Sequence, residues 1–141
     1  MTTGEKTLLA PPILWVTVAR DPAFVAVDPN GNETRLIDPK RQAIDMDYDE
    51  LNRLKSKVYN LTPADLALFT RTHRIDYQYD PNDNLIRVDE TKSSGTDPPV
   101  VVSSFKTYDE LDRLETETDA WGRRLTHDYD PQGRCLFTDE P

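Results

Sequence analysis

Residues 108–134 read YDELDRLETETDAWGRRLTHDYDPQGR, and this stretch decides the fold. It holds three turn signals in a row. Tyr108-Asp109-Glu110-Leu111-Asp112-Arg113 opens it, Asp119-Ala120-Trp121-Gly122-Arg123 lies midway, and Tyr129-Asp130-Pro131-Gln132-Gly133-Arg134 closes it. Asp at the first corner, Pro at the second and Gly at the fourth is the order of a type I turn. One further residue in the left-handed region closes a three-residue β-hairpin loop with a bulge. The turns begin at Asp109, Asp119 and Asp130, steps of ten or eleven, and each step holds one strand and one turn.

Working outward, the same six-residue pattern recurs at Val27-Asp28-Pro29-Asn30-Gly31-Asn32, Tyr48-Asp49-Glu50-Leu51-Asn52-Arg53 and Tyr79-Asp80-Pro81-Asn82-Asp83-Asn84. Asp is second in all five copies. Tyr leads four of them, and Val27 stands in the first. The fifth position is Gly31, Asn52, Asp83, Asp112 or Gly133, all residue types that tolerate positive φ. A second midway turn is expected at Asp38-Pro39-Lys40.

The flanks alternate as half-buried strands do. Ile44, Met46 and Tyr48 interleave with Asp45 and Asp47, and Ile75, Tyr77 and Tyr79 with Asp76 and Gln78. Leu125, His127 and Tyr129 follow the same rule, which predicts one dry face. Phe105 has the wrong parity for its strand, so a bulge or a shifted register is expected there. The steps from Tyr48 to Tyr79 and from Tyr79 to Tyr108 are 31 and 29, longer than the 21 between Tyr108 and Tyr129. Insertions are therefore expected near 60–72 and 90–100, projecting from the midway edge. Thr62, Pro63 and Asp65 predict a short helix over Pro63–Phe69, while Thr91 to Pro99 has the composition of a loop. The expected architecture is an all-β antiparallel meander of tandem hairpins over 27–141, with strand material in 1–26 that matches the repeat poorly.

Composition sets the bounds. The 141 residues include 26 acidic and 17 basic ones, for a formal charge of −9 and a mean hydropathy of −0.71. That field repels a nucleic-acid backbone and an anionic membrane surface, so neither is an expected partner. The most apolar early run, Leu8 to Val16, is too short to span a bilayer and is broken by Pro11 and Pro12. Cys135 is the sole cysteine, which excludes an internal disulfide.

Tyr-Asp-x-x-(Gly/Asn/Asp)-Arg followed by Leu, with a second Asp-x-x-Gly-Arg turn ten residues on, resembles the YD repeats of RHS proteins, insecticidal toxin-complex shell subunits and teneurins. Tyr108 to Arg134 carries the closest likeness, which extends from about Val27 to the C-terminus. The resemblance implies a long antiparallel sheet that spirals into a hollow shell, in a secreted or cell-surface protein. The partners it implies are further YD repeats of the same or a neighbouring polypeptide, an enclosed toxin, or glycans. The function it implies is structural and encapsulating, with carbohydrate binding or adhesion as the alternative.

The side chains available for chemistry are few, and no enzyme is expected. Asp80, Asn82 and Asn84, like Asp28, Asn30 and Asn32, suggest a calcium loop, but the sixth and twelfth positions lack the Gly and Glu such a loop needs. They are expected to build turns. His73, His127 and Cys135 fall short of a zinc site. Cys135 and His127 lie across one hairpin, yet Cys135 takes the position of Leu54, Leu85 and Leu114 and is expected to be a small apolar core residue. No cofactor or metal is expected. The turn-forming residues are thus Asp28, Gly31, Tyr48, Asp49, Asn52, Tyr79, Asp80, Asp83, Tyr108, Asp109, Asp112, Tyr129, Asp130 and Gly133. The four Tyr are expected to stack between successive hairpins, and Trp121, on a turn, is the candidate for an exposed contact.

Overall fold

The computed structural model describes residues 14–17, 24–38, 41–62, 64–65, 70–93 and 97–138. Among these, eleven strands form one sheet in strict sequence order. They are β1 (Leu14–Thr17), β2 (Phe24–Val27), β3 (Glu33–Ile37), β4 (Ala43–Tyr48), β5 (Leu54–Asn60) and β6 (Arg71–Tyr79). Then follow β7 (Leu85–Ser93), β8 (Val100–Tyr108), β9 (Leu114–Thr118), β10 (Arg124–Tyr129) and β11 (Cys135–Thr138). Every neighbouring pair is antiparallel. The sheet is open, with β1 and β11 at its edges. The expected all-β meander is therefore the fold.

Five hairpins, β2–β3, β4–β5, β6–β7, β8–β9 and β10–β11, put their tips along one side. Their tips are the Val/Tyr-Asp segments. In the first, Gly31 N–H donates to Asp28 O and Asp28 N–H donates to Asn32 O. The same pair of bonds closes the turns at Asp49, Asp80, Asp109 and Asp130. The fifth residue has positive φ in all five: Gly31 89°, Asn52 61°, Asp83 70°, Asp112 59° and Gly133 81°. The midway turns at Asp38 and Asp119 repeat this bonding, with Arg41 and Gly122 in the left-handed position. The loop at Asp119 is of the same three-residue kind, while Pro39 and Lys40 of the other lie outside the described residues.

Register separates two faces. Ile44, Met46 and Tyr48 share one with Tyr59, Ile75, Tyr77, Tyr79 and Val88, by the pairs Ile44↔Tyr59, Lys57↔Ile75 and Tyr77↔Val88. The other carries Asp45, Ser56, Asp76 and Asp89 across paired strands, with ion pairs Arg35–Asp45 at 3.2 Å and Arg87–Asp89 at 2.8 Å. Neither face is covered by a second layer among the described residues. Val25, Ala26, Ser56 and Thr116 are the buried residues there, and no large side chain is fully enclosed. The face expected to be dry is thus only half-buried, because the described residues give the sheet nothing to pack against.

Several expectations need correction. The strand entering the first hairpin begins at Phe24, so a boundary at residue 26 cuts through β2. Thr91, Lys92 and Ser93 extend β7, pairing with Val101, Val100 and Arg71, so the expected loop is shorter. The long steps between repeats are taken up in part by three nine-residue strands, β6, β7 and β8. Phe105 keeps its parity. The register change near the tip comes from an extra residue in β9, since Thr107 pairs Thr116 and Tyr108 pairs Leu114. Phe105 therefore stays on the charged face, 44% exposed, with the Arg87 guanidinium 5.2 Å from its ring centre. The helix expected over Pro63–Phe69 lies, Ala64 and Asp65 apart, outside the described residues. Thr62 N–H donates to Asp65 Oδ2 at 2.8 Å and Asp65 N–H to Thr62 Oγ1 at 3.3 Å.

Candidate functional site: the row of hairpin tips

Each tip is organised by its Asp. Asp49 Oδ1 accepts N–H bonds from Leu51 and Arg53, both at 2.9 Å, and its Oδ2 takes Arg53 Nε at 2.7 Å. Asp109 makes the equivalent set with Leu111 and Arg113, and Asp130 with Gln132 and Arg134. In the first and third tips Asn replaces Arg: Asn32 Nδ2 donates to Asp28 Oδ2, and Asn84 Nδ2 to Asp80 Oδ2. A carboxylate with three N–H donors is held ionised. Asp109 is lowered below its ordinary value first by the Arg113 side chain. Asp49 and Asp130 are lowered first by the main-chain N–H of Arg53 and of Arg134. The oxygens of Asp28 and Asp80 that suggested a calcium loop thus face turn N–H groups.

Successive tips are joined to one another. Asn30 and Asn32 both donate to Asn52 Oδ1, at 3.0 and 2.8 Å. Arg53 reaches Asp83 Oδ1 at 2.6 Å and Asp80 O at 3.2 Å. Asn82 and Asn84 both donate to Asp112 Oδ1, at 2.9 and 2.8 Å. The rule is directional: the fourth or sixth residue of one tip donates to the fifth residue of the next.

The Tyr residues tie the same joints from the sheet face. Tyr79 Oη donates to Leu54 O at 3.0 Å, Tyr108 Oη to Leu85 O at 3.0 Å, and Tyr129 Oη to Leu114 O at 2.8 Å. The Arg53 guanidinium lies 4.8 Å from the centre of the Tyr79 ring, and that of Arg113 4.3 Å from the Tyr129 ring. Tyr48 is half-buried at the matching place in β4, its phenol pushed up by burial. The equivalent strand-end places of these Tyr were legible in the sequence, but the hydroxyl-to-carbonyl bonds and the Arg contacts were not.

The remaining candidates lie apart from this row. Trp121 is 80% exposed on the midway turn, with Arg123 stacked 5.2 Å from its ring centre. It borders a hollow of ≈ 220 Å³ lined also by Val88, Glu90, Lys92, Val102 and Ser104. Cys135 Sγ lies 3.6 Å from His127 Nδ1. Cys135 is exposed rather than a core residue, because β11 is an edge strand with no neighbour beyond it among the described residues.

No family model matches the chain, and no curated protein matches it by sequence.

Proposed function

We propose that this chain is a structural module, a segment of wall built from YD-type hairpins, as in the shells of RHS and toxin-complex proteins. One observation carries the reading. Stability is invested in joints between consecutive hairpins, side by side, while the described residues leave both faces of the sheet uncovered. Such a sheet gains from every hairpin added at its edges, as in other repeat arrays whose units hold only their neighbours. Its use is extended surface, secreted or displayed as part of a larger assembly, with no catalytic role.

Sedimentation over a hundredfold dilution from micromolar concentration tests this. Edge-driven self-association is expected, because β11 presents a short, weakly charged strand with unpaired main-chain groups. A monomer at every concentration, unfolding in one cooperative step, would overturn the wall reading.

A second reading, glycan contact, is favoured by Trp121 beside its hollow, where an aromatic ring meets Glu90, Lys92 and Ser104. Binding of the chain to arrayed glycans, lost in Trp121→Ala, is its test.

A further inference from the structure

We propose that the free edge of β11 is a docking surface for one chemical type of hairpin. Its first strand ends in Tyr-Asp, and the fifth residue of its turn carries a carboxylate. This rests on the wall reading and adds to it a rule for which hairpin fits.

The joints already formed define the rule. At the joint between the β4–β5 and β6–β7 hairpins, Arg53 is sandwiched by its own Asp49, the Tyr79 ring and the Asp83 carboxylate, and its side chain is 23% exposed. At the joint between the β8–β9 and β10–β11 hairpins, Arg113 has its own Asp109 and the Tyr129 ring, and is 32% exposed. The fifth residue facing Arg113 is Gly133, which offers no acceptor side chain. Arg134 holds the same place in the last tip. Its Nε is fixed by Asp130 at 2.6 Å, yet its side chain is 78% exposed. It is an oriented guanidinium without the ring that covers its two counterparts.

Beside it, Cys135 stands where Leu54, Leu85 and Leu114 stand, each of whose main-chain oxygens accepts a Tyr hydroxyl from the following hairpin. The edge therefore offers a cation, an acceptor oxygen and an open ladder in the geometry of the existing joints. A Tyr supplies the ring and the hydroxyl, and an Asp at the fifth position supplies the counter-charge, as Asp83 does for Arg53. The hairpin β2–β3 of a second copy does not fit. Val27 has neither the ring nor the hydroxyl that Tyr79 and Tyr129 bring to Arg53 and Arg113.

The test extends the full chain, after Pro141 and a short Gly-Ser linker, with a second copy of its residues 97–118, which carries Tyr108 and Asp112. Amide hydrogen exchange of Cys135–Thr138 reads docking, at concentrations where sedimentation shows a monomer. The extension is expected to slow exchange there. Tyr108→Phe or Asp112→Gly, made in the appended copy alone, should each weaken docking about tenfold, the scale of one hydrogen bond to a charged or buried group. Gly at position 112 keeps the turn, so the lost carboxylate is what is measured. Equal protection by all three extensions overturns the chemical rule while leaving the wall reading intact. No protection by any of them overturns both. Protection of Cys135–Thr138 in the unextended monomer as strong as in the extended one overturns the rule.

Discussion

The hydroxyl of Tyr79 donates to the main-chain oxygen of Leu54 across 3.0 Å, joining the first strand of one hairpin to the last strand of the hairpin before it. This single atom ties together two units 25 residues apart in sequence. Tyr79→Phe keeps the ring under Arg53 and deletes only the bond. A loss of about 1 kcal/mol in unfolding free energy is expected. Denaturant titration against the parent chain checks it, and an unchanged midpoint would show the bond to be dispensable.

Gly133 has φ 81° and nothing within 4 Å of where a Cβ would sit. Substitution there meets no steric wall, so its cost is backbone conformation alone. Gly133→Val should destabilise the last hairpin by ~1–3 kcal/mol. Gly133→Asn should cost much less, since Asn52 occupies the equivalent position with φ 61°. Equal melting temperatures for the two variants would count against the bulged turn.

Acid should loosen the tips. Asp28, Asp49, Asp80, Asp109 and Asp130 all have carboxyls lowered below 3.8 in the folded chain. A lowered folded value means that stability is fully present above the unfolded value and is lost as pH falls through the folded one. Melting temperature should therefore hold from neutral pH to about pH 5 and fall below about pH 4. Asp109→Asn should blunt that fall, and a melting temperature flat down to pH 2 would contradict the role of these carboxylates.

Millimolar calcium should leave the melting temperature unchanged. The oxygens of Asp80 accept N–H bonds from Asn82 and Asn84, and Asn82 and Asn84 spend their amides on Asp112. A rise of several degrees, reversed by chelator, would require a bound ion stabilising the folded state.

The tips were legible in the sequence because their chemistry is local. Asp28 to Asn32 closes its turn with its own atoms, and residues such as Asn52 and Gly133 announce a left-handed backbone by type alone. What was not legible is relational. Arg53 looks like a turn residue until its neighbour is known to present Tyr79 and Asp83. Asp112 looks like a left-handed turn residue until two Asn side chains from 28 and 30 positions away converge on it. Cys135 reads as core by analogy with Leu54 and Leu114, and only the position of β11 at the edge exposes it. Phe105 shows the limit of alternation as a burial signal. On a single-layer sheet an aromatic residue rests on the wet side under an arginine, with no bulge to turn it inward.

The number of strands has a consequence for symmetry. In an antiparallel meander of eleven, β1 and β11 both run the same way. Translating a second copy alongside the first would set those two described edges together as a parallel pair, against the grain of every junction in the sheet. An antiparallel union of β11 with itself requires a two-fold axis, which reverses the partner and sends its tips to the opposite side. Pairing of that kind closes on itself. Association through β11 between copies is thus expected to stop at the dimer, and parity, rather than any charged or proline-bearing guard residue, keeps this segment from growing into a filament through that edge.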